Sequence, residues 1–295
     1  MYRSFSPGEL SIGQLHGCLL TGIAPRPIAF VSTIDKAGNA NLSPFSFFNI
    51  FGSNPPTLVF SPARRVRDNT TKHTLDNVLK VAECVVNIVD FAMVEQMSLA
   101  STEYDKGVNE FLKSGLTQVP SDVVQPYRVG ESPMAMECTV NQVIATGEEG
   151  GAGNLVIAQV VKVHLREDCI GENGLLDPTK LDLVGRMGGS YYVRASSEAL
   201  FEIPKPLRSK GIGVDALPET VRNSTVLSGN DLGRLGNLAT LPTPEHFAAL
   251  AKEVGWLDIN TAPVEVQDIQ RHLFAKKMLE DGKAELALAV LLTSF

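Results

Sequence analysis

The sequence predicts a mainly β protein with flanking helices, in which an antiparallel barrel precedes a helical C-terminal extension. Residues 26–89 read as short strands separated by turns. Two longer strand patterns, 134–145 and 155–165, are joined by the glycine-rich segment 147–154, which is the strongest hairpin signal in the chain. Several closely spaced strands with few helices between them favour an antiparallel barrel over alternating βαβ units.

The first elements follow from β-branched runs and turn residues. Residues 28–32 predict a strand, and 35–38 predict the turn that follows it. The next strand is expected over 39–48, where Pro44 interrupts the pattern. Because proline cannot donate a backbone hydrogen bond, this strand is expected at an edge or a bulge. A further strand is predicted over 57–61.

Helical spacing appears after the polar stretch 62–72. Leu75, Val78, Leu79 and Ala82 lie on one face of a predicted helix. The chain then predicts a strand over 84–89, a short helix over 91–99 and a long surface excursion over 101–132.

The C-terminal part differs in character. We predict a boundary between a barrel domain, residues 1–205, and a linker with a mostly helical extension, residues 206–295. Pro204, Pro206 and Gly211 indicate the linker. Helices are predicted from Thr243 to Gly255, over 264–279 and over 284–292. This extension carries no group of reactive side chains, so we expect it to serve packing or oligomer formation.

Composition limits the classes of partner. The 26 basic and 33 acidic residues give a net charge of −7, which argues against a broad nucleic-acid surface. Residues 1–10 show no secretory pattern, and no apolar run approaches the length of a membrane span, so we expect a cytoplasmic protein. The four cysteines lack CxxC spacing and are expected to be buried thiols, and we expect no metal site.

Basic residues gather in only one place, between positions 64 and 72. The anion-binding candidates there and just beyond are Arg64, Arg65, Arg67, Thr70, Thr71, Lys72 and Thr74. Cations and hydroxyls before a predicted helix suit a small phosphate, with Thr70 or Thr71 as the N-cap. The alternative is an ordinary solvated charged loop, which composition alone does not reject.

An aromatic segment at 43–49 offers the complementary kind of site. Pro44 breaks the hydrogen-bond ladder, so neighbouring amides could face a ligand, and Ser46 and Asn49 could add side-chain hydrogen bonds. A planar cofactor needs such an apolar slot with a few donors. An aromatic-rich core strand is the open alternative.

The order of motifs resembles a known family. RPIAFVST at 26–33, NLSPFSFF at 41–48 and Pro55-Pro56 are similar to the flavin reductase-like FMN-binding split-barrel family, in its conserved flavoprotein oxygenase branch. Lys72-His73-Thr74, Asn77 and Val86-Asn87 follow in the family's order. The family usually has aspartate at the position of His73, which leaves a carboxylate role there in doubt. The collinear resemblance runs from about residue 22 to about residue 194.

The resemblance implies a Greek-key split barrel that binds FMN at a homodimer interface. It places the cofactor against the following residues: Arg26, Ser32, Thr33, Ser43, Phe45, Ser46, Phe47, Ser61, Arg67, Lys72 and Thr74. Of these, Ser61, Arg67, Lys72 and Thr74 would hold the phosphate. His164, at the end of a long strand, is the candidate catalytic residue for proton transfer or nicotinamide placement, with a structural role as the alternative.

The function expected is that of an FMN-dependent oxidoreductase. It would take hydride from NADH or NADPH and pass electrons to free flavin, oxygen or a small acceptor, so that no protein nucleophile is needed. The alternative is an FMN carrier, store or sensor without a nicotinamide site. A relative of pyridoxamine-phosphate oxidase would need a second phosphate-binding cluster, whereas the sequence shows one.

Overall fold

The computed structural model describes residues 1–203, 210–241 and 264–292. The chain divides into two compact units, Met1–Phe201 and Glu202–Phe295. Within the described ranges, none of the helices is both long and apolar enough to cross a membrane.

The first unit is built on strands with short helices around them. The strands are β1 (Ala29–Ile34), β2 (Ala40–Phe45), β3 (Phe48–Ser53), β4 (Pro56–Phe60), β5 (Glu83–Ile88), β6 (Gln118–Val119), β7 (Arg128–Val129), β8 (Met134–Ala145), β9 (Asn154–Leu165), β10 (Leu183–Arg186) and β11 (Tyr192–Ala195). The helices are α1 (Ile12–Gly22), α2 (His73–Val78), α3 (Val94–Leu99) and α4 (Glu110–Ser114). Single 3-10 turns lie at Pro7–Glu9, Phe91–Met93, Glu167–Cys169 and Ser197–Ala199.

Seven strands form one antiparallel sheet in the order β2-β1-β5-β8-β9-β4-β3. The mainly antiparallel split-barrel fold with flanking helices is therefore confirmed. So is the predicted hairpin, because β8 and β9 pair along their lengths, from Met134 opposite Leu165 to Ala145 opposite Asn154. Bulges in β8 strengthen the local twist, which helps a long hairpin to curve around a core.

Strand β2 is an edge strand, as Pro44 predicts. Pro44 lies opposite Phe30 of β1, and β2 is the last strand of the sheet on that side. The backbone N–H of Leu42 donates to Glu110 Oε2 of α4 at 3.0 Å. A buried carboxylate thus satisfies an edge donor that has no neighbouring strand.

The prediction of one strand over 39–48 was wrong. The chain leaves β2 after Phe45 and enters β3 at Phe48, on the opposite end of the sheet. Residues 46 and 47 form the bend, and of the two only Ser46 is a common turn former. The aromatic residues beside it favour a continuous strand, which explains the error, since closure of the barrel dictates the bend.

The barrel interior is filled by side chains from one face of the sheet and from α2. The buried set is Ala29, Val31, Phe45, Leu58, Phe60, Leu75, Val78, Cys84, Val86, Met136, Cys138, Val156 and Ala158. A second buried layer lies between β1, β2 and the helices α3 and α4, and includes Phe30, Leu42, Met93, Met97 and Phe111. Cys18 on α1 is exposed, contrary to expectation, whereas Cys84, Cys138 and Cys169 are buried as predicted, and all four are free thiols.

The second unit is helical where it is described. Its helices are α5 (Glu219–Arg222), α6 (Gly229–Gly236), α7 (Val264–Glu280) and α8 (Ala284–Leu292), which confirms the helices predicted over 264–279 and 284–292. Leu235, Leu279 and Leu288 are buried together in its core. The helix predicted from Thr243 to Gly255 and the predicted linker residues Pro204 and Pro206 lie outside the described residues.

Candidate functional site

A cleft of about 490 Å³ opens in the first unit. This volume is in the range of sites that hold small-molecule cofactors. The cleft is lined by His16, Leu20, Arg26, Pro44, Phe45, Ser46, Phe47, Ser61, Ala63, Arg64, Arg65, Val66, Arg67, Lys72, Glu103, Gly151, Arg186, Met187 and Gly189. The predicted phosphate loop and the predicted aromatic segment therefore meet at one cleft.

The segment 64–72, between β4 and α2, is called the cationic loop here, and Arg64 holds it in shape. Its guanidinium donates through Nε to Asn69 Oδ1 at 2.5 Å and through Nη2 to the Asn69 carbonyl at 2.6 Å. Asn69 adopts a left-handed backbone conformation with φ of 55°, which asparagine tolerates better than most residues. Arg64 therefore stabilises the loop, because its guanidinium donates to the side chain and the carbonyl of Asn69 within the same loop.

The glycine-rich end of the β8–β9 hairpin supports the same loop. Arg64 N donates to the Ala152 carbonyl at 2.8 Å, and Gly151 N donates to the Arg64 carbonyl at 3.1 Å. A Cβ at Gly150 would lie 3.0 Å from the Val66 carbonyl oxygen, closer than such contacts normally allow. A larger residue would require the backbone at Val66 to shift, so glycine allows the hairpin end to pack closely against the cationic loop.

Three cations converge at one end of the cleft on a single carboxylate. Glu103 accepts from Arg65 Nε at 2.8 Å, pairs with Arg67 Nη2 and lies 3.7 Å from Lys72 Nζ. Hydrogen bonds from Arg65 and Arg67 lower the pKa of Glu103. Burial, followed by the charge of Arg65, lowers the pKa of Lys72. Asp68 Oδ2 also accepts from Arg67 Nε at 3.0 Å, so three cations face two carboxylates and the remaining positive charge favours a further anion at this end of the cleft.

The predicted N-cap was wrong. Helix α2 begins after Lys72, which makes no side-chain cap hydrogen bond. Thr71 Oγ1 instead donates to Asp76 Oδ1 at 2.9 Å, and Thr70 Oγ1 donates to Asp68 Oδ1 at 2.6 Å. Both threonines stabilise the loop, and the cations supply the anion-attracting field.

The other end of the cleft is apolar and aromatic. Phe45 is buried and packs on Phe60 with ring centroids 5.7 Å apart. Phe47 remains 41% exposed, and His16 of α1 meets its ring edge-on at 6.1 Å. An exposed aromatic ring beside buried ones offers a face on which a planar ring system can lie.

Arg26 lines the cleft, but backbone carbonyls occupy its guanidinium. Nη1 donates to the carbonyls of Leu20 and Ile23, the latter at 2.8 Å, and Nη2 donates to the Met187 carbonyl at 3.0 Å. Nε reaches Ser46 Oγ at 3.4 Å. Arg26 therefore ties the end of α1 and the segment after β10 to the cleft wall, and its approach to a cofactor stays a prediction.

Ser61 is placed at the cleft between the two ends. Its Oγ accepts from Asn154 N at 3.0 Å, which leaves the hydroxyl its own proton to donate. Ser43 and Thr74 line a small pocket that adjoins the cleft beside Lys72. Thr74 Oγ1 accepts from Asn41 Nδ2 at 3.0 Å and is buried, so its hydroxyl belongs to an internal network.

Ser32, Thr33 and Asn49 do not line the cleft. Thr33 Oγ1 accepts from Asn77 Nδ2 at 3.0 Å and joins β1 to α2 in the interior. Ser32 is also fully buried, and Asn49 is exposed on β3, where its Oδ1 accepts from Ile50 N at 2.8 Å. Their predicted contact with a cofactor has no support from the cleft geometry, because strand pairing turns these side chains elsewhere.

His164 also lies away from the cleft. Its Nε2 is 2.6 Å from Oε1 of Glu137, a fully buried carboxylate. Asp122 lies near both, but Glu137 also accepts from backbone N–H groups and Asp122 pairs with Lys162 Nζ at 2.5 Å. These donors already satisfy the oxygens, so we assign no metal to the three residues. The geometry favours the structural alternative for His164.

Burial alone would raise the pKa of Glu137, but its hydrogen bonds outweigh that effect. The N–H groups of Asp122, Val123 and Val124 donate to it at 2.8, 2.6 and 3.0 Å. Together with His164 they lower the pKa of Glu137 to about 2. An ionised carboxylate accepts only, so Nε2 of His164 carries the proton.

Residues that the sequence did not predict complete the cleft. His16 and Leu20 come from α1, whose start carries a readable signal, because Ser11 and Gln14 form a capping box. Glu103 and Met187 are brought in from loops distant in the chain, and no local pattern identifies them.

Comparisons with known proteins show which family the chain belongs to. A sequence model of the flavin reductase like domain matches residues 21–180, more than half of the chain. The chain belongs to the flavin reductase-like family. An uncharacterized protein of Aquifex aeolicus is 35% identical to this flavin reductase-like chain over 189 residues, which is 64% of this chain and 94% of the relative. A protein of Halalkalibacterium halodurans is 36% identical over 63% of this chain and 90% of its own length.

Solved structures place the flavin reductase-like unit among split barrels. Component B of nitrilotriacetate monooxygenase from Bacillus cereus superposes with a TM-score of 0.64 at 29% identity, over 69% of this chain and 99% of that one. The 2-nitrobenzoate 2-nitroreductase of Pseudomonas fluorescens gives 0.61 at 27% identity, over 71% and 100%. A split barrel domain protein from Shewanella frigidimarina, at 0.58 and 23% identity over 69% and 99%, shares the fold.

Proposed function

We propose that this chain binds FMN in the cleft and acts as an NADH- or NADPH-dependent flavin oxidoreductase. The observation that carries the proposal is the meeting of two ends in one cleft: Arg65, Arg67 and Lys72 at one end, and Phe45 and Phe47 at the other. A phosphorylated flavin has the same two parts, an anionic terminus and a planar apolar ring system. The residues present therefore fit FMN.

The cationic end would hold the phosphate. Arginine donates from a planar fork that matches phosphate oxygens, and Lys72 adds a compact charge. Ser61 lines the same cleft, and its hydroxyl keeps a proton that could be donated to the phosphate. Because Arg64 and Gly150 hold the loop in place before any ligand arrives, little ordering is needed on binding.

The aromatic end would hold the ring system and limit its access to water. FMN supplies hydride acceptance and onward electron transfer when it is bound. Phe45 lines the cleft as a buried side chain, and Phe47 contributes a partly exposed ring. Arg26 holds Ser46 and the segment at Met187 against the cleft, so these two groups keep their positions beside the ring. The protein would bind and orient the flavin, and the flavin would carry the reaction, so no protein nucleophile is required.

Family membership and two similar structures support an oxidoreductase reaction. The chain is 29% identical to a monooxygenase component and 27% identical to a nitroreductase, and both names denote oxidoreductases. We infer that electrons pass from a nicotinamide to the bound flavin and then to free flavin, oxygen or a small acceptor.

Anaerobic mixing of the FMN-loaded protein with NADH or NADPH tests this function. We expect saturable bleaching of the flavin absorbance near 450 nm within seconds, at least about tenfold faster than free FMN under the same conditions. Bleaching no faster than that of free FMN would favour the alternative function, a flavin carrier without a nicotinamide site. Protein that cannot be loaded with FMN would overturn the proposal itself.

We further propose that the protein is a homodimer. Large apolar side chains are exposed just after α1 and on β3, among them Ile23 (64%), Ile50 (62%) and Phe51 (69%). Exposed apolar side chains on neighbouring elements are a feature of protein–protein interfaces. Sedimentation equilibrium should give twice the 31.8 kDa chain mass, and a monomer at micromolar concentration would contradict the dimer.

A further inference from the structure

We propose that Glu103 is an internal competitor for the phosphate, which lowers the affinity of the cleft for phosphorylated ligands and leaves its affinity for their uncharged counterparts unchanged. The inference rests on the proposed binding of FMN in this cleft. It assigns to Glu103 a role in setting the affinity for phosphate, in contrast to the binding role of its three cationic neighbours.

The contacts of Glu103 duplicate those that a phosphate would make. Oε1 accepts from Arg65 Nε at 2.8 Å and lies 3.7 Å from Lys72 Nζ, and Oε2 pairs with Arg67 Nη2. Arg65 Nη1 already donates to Thr70 Oγ1 at 2.9 Å. A phosphate that takes these facing donors must replace the carboxylate, since two anions at this distance repel each other.

Glu103 is free to leave in a way that its neighbour Asp68 is not. Asp68 accepts from Thr70 N at 3.1 Å and from Thr70 Oγ1 at 2.6 Å, so it belongs to the turn of the cationic loop. Glu103 lies in the separate loop between α3 and α4, and its side chain is 36% exposed. Rotation into solvent would cost Glu103 its ion pairs to Arg65 (side chain 16% exposed), Lys72 (30%) and Arg67 (68%), and the released carboxylate would regain its hydration.

The exchange has a consequence for affinity. A phosphate group near neutral pH carries a charge of about −1.5 to −2, so it outcompetes a single carboxylate for three cations. Riboflavin has no phosphate and cannot displace Glu103. The carboxylate therefore lowers the affinity for FMN by a moderate factor, leaves the affinity for riboflavin unchanged, and so narrows the difference between the two affinities.

The test compares Glu103→Gln with Asp105→Asn, which removes the same charge from the same loop outside the cleft lining. Titration by flavin fluorescence should show about 5- to 20-fold tighter FMN binding for Glu103→Gln, and unchanged riboflavin binding. Asp105→Asn should match the unmodified protein within about twofold.

Two outcomes overturn the inference. Equal or weaker FMN binding by Glu103→Gln would show that Glu103 organises the arginines for the ligand instead of competing with it. Equal tightening for FMN and riboflavin would show an effect away from the phosphate. Failure of the unmodified protein to bind FMN is a different result, since it contradicts the proposed function, whereas the two outcomes above contradict only the role of Glu103.

Discussion

Replacing Arg67 and Lys72 together with alanine should weaken FMN binding by about 100-fold or more. Charge-assisted hydrogen bonds are stronger than neutral ones, and solvent screens the half-buried Lys72 less than Arg67, whose side chain is 68% exposed, so we expect Lys72 to account for most of the loss. The double variant also leaves Glu103 with only Arg65 of its three cationic partners. The negative charge of Glu103 would then repel the phosphate with fewer cations to offset it. Fluorescence titration with FMN measures the dissociation constant directly.

A matched control is Lys36→Ala with Lys80→Ala, which removes two exposed cations outside the cleft lining. It should bind FMN within about threefold of the unmodified protein, because exposed charges at a distance are screened. If Arg67→Ala with Lys72→Ala retained FMN as tightly as this control, the cationic loop would not be the phosphate site. Thermal unfolding of both variants verifies that the fold is retained.

The largest effect on stability is expected at Glu137. Both of its oxygens accept, Oε1 from Asp122 N and His164, and Oε2 from Val123 N and Val124 N. In Glu137→Gln the amide NH₂ must face a backbone N–H in either orientation, which places two donors against each other in a buried site. We expect the free energy of unfolding to fall by about 2–4 kcal/mol. Urea unfolding followed by circular dichroism measures it.

The pH dependence of this effect has a definite sign. The folded protein holds the pKa of Glu137 at about 2, below the usual 4.5 of the carboxyl. A lowered folded pKa stabilises the fold fully above pH 4.5, and that contribution is lost as the pH falls toward about 2. Glu137→Gln should lack this part of the acid destabilisation, so its stability curve should approach that of the unmodified protein at low pH.

Glu131→Gln provides the comparison, because Glu131 accepts from Thr117 N at 2.9 Å and from Thr117 Oγ1 at 2.7 Å in an exposed position. Its loss of stability should stay below about 1 kcal/mol, since solvent can replace those hydrogen bonds. Equal losses for the two variants would refute the idea that Glu137 holds the segment 122–124 in place.

Local patterns were sufficient for the parts of this protein whose contacts are close in sequence. The β8–β9 hairpin follows from two alternating runs and a glycine-rich turn, and the edge position of β2 follows from Pro44. The cationic loop before α2 is also a local feature, because its charges and hydroxyls lie within nine residues, from Arg64 to Lys72. The ordered set of motifs added the family, which the comparison with the flavin reductase like domain bears out.

Contacts between distant segments required the fold. Thr33 and Lys72 look equally suited to a ligand in the sequence, yet strand pairing buries Thr33 against Asn77, while Lys72 faces the cleft. Glu103 reaches the cations across more than 30 residues, and His164 meets Glu137 across the hairpin. Hydrophobic periodicity specifies which face of an element is buried, but it carries no information on which remote charge will lie opposite. Barrel closure and loop packing decide those partners.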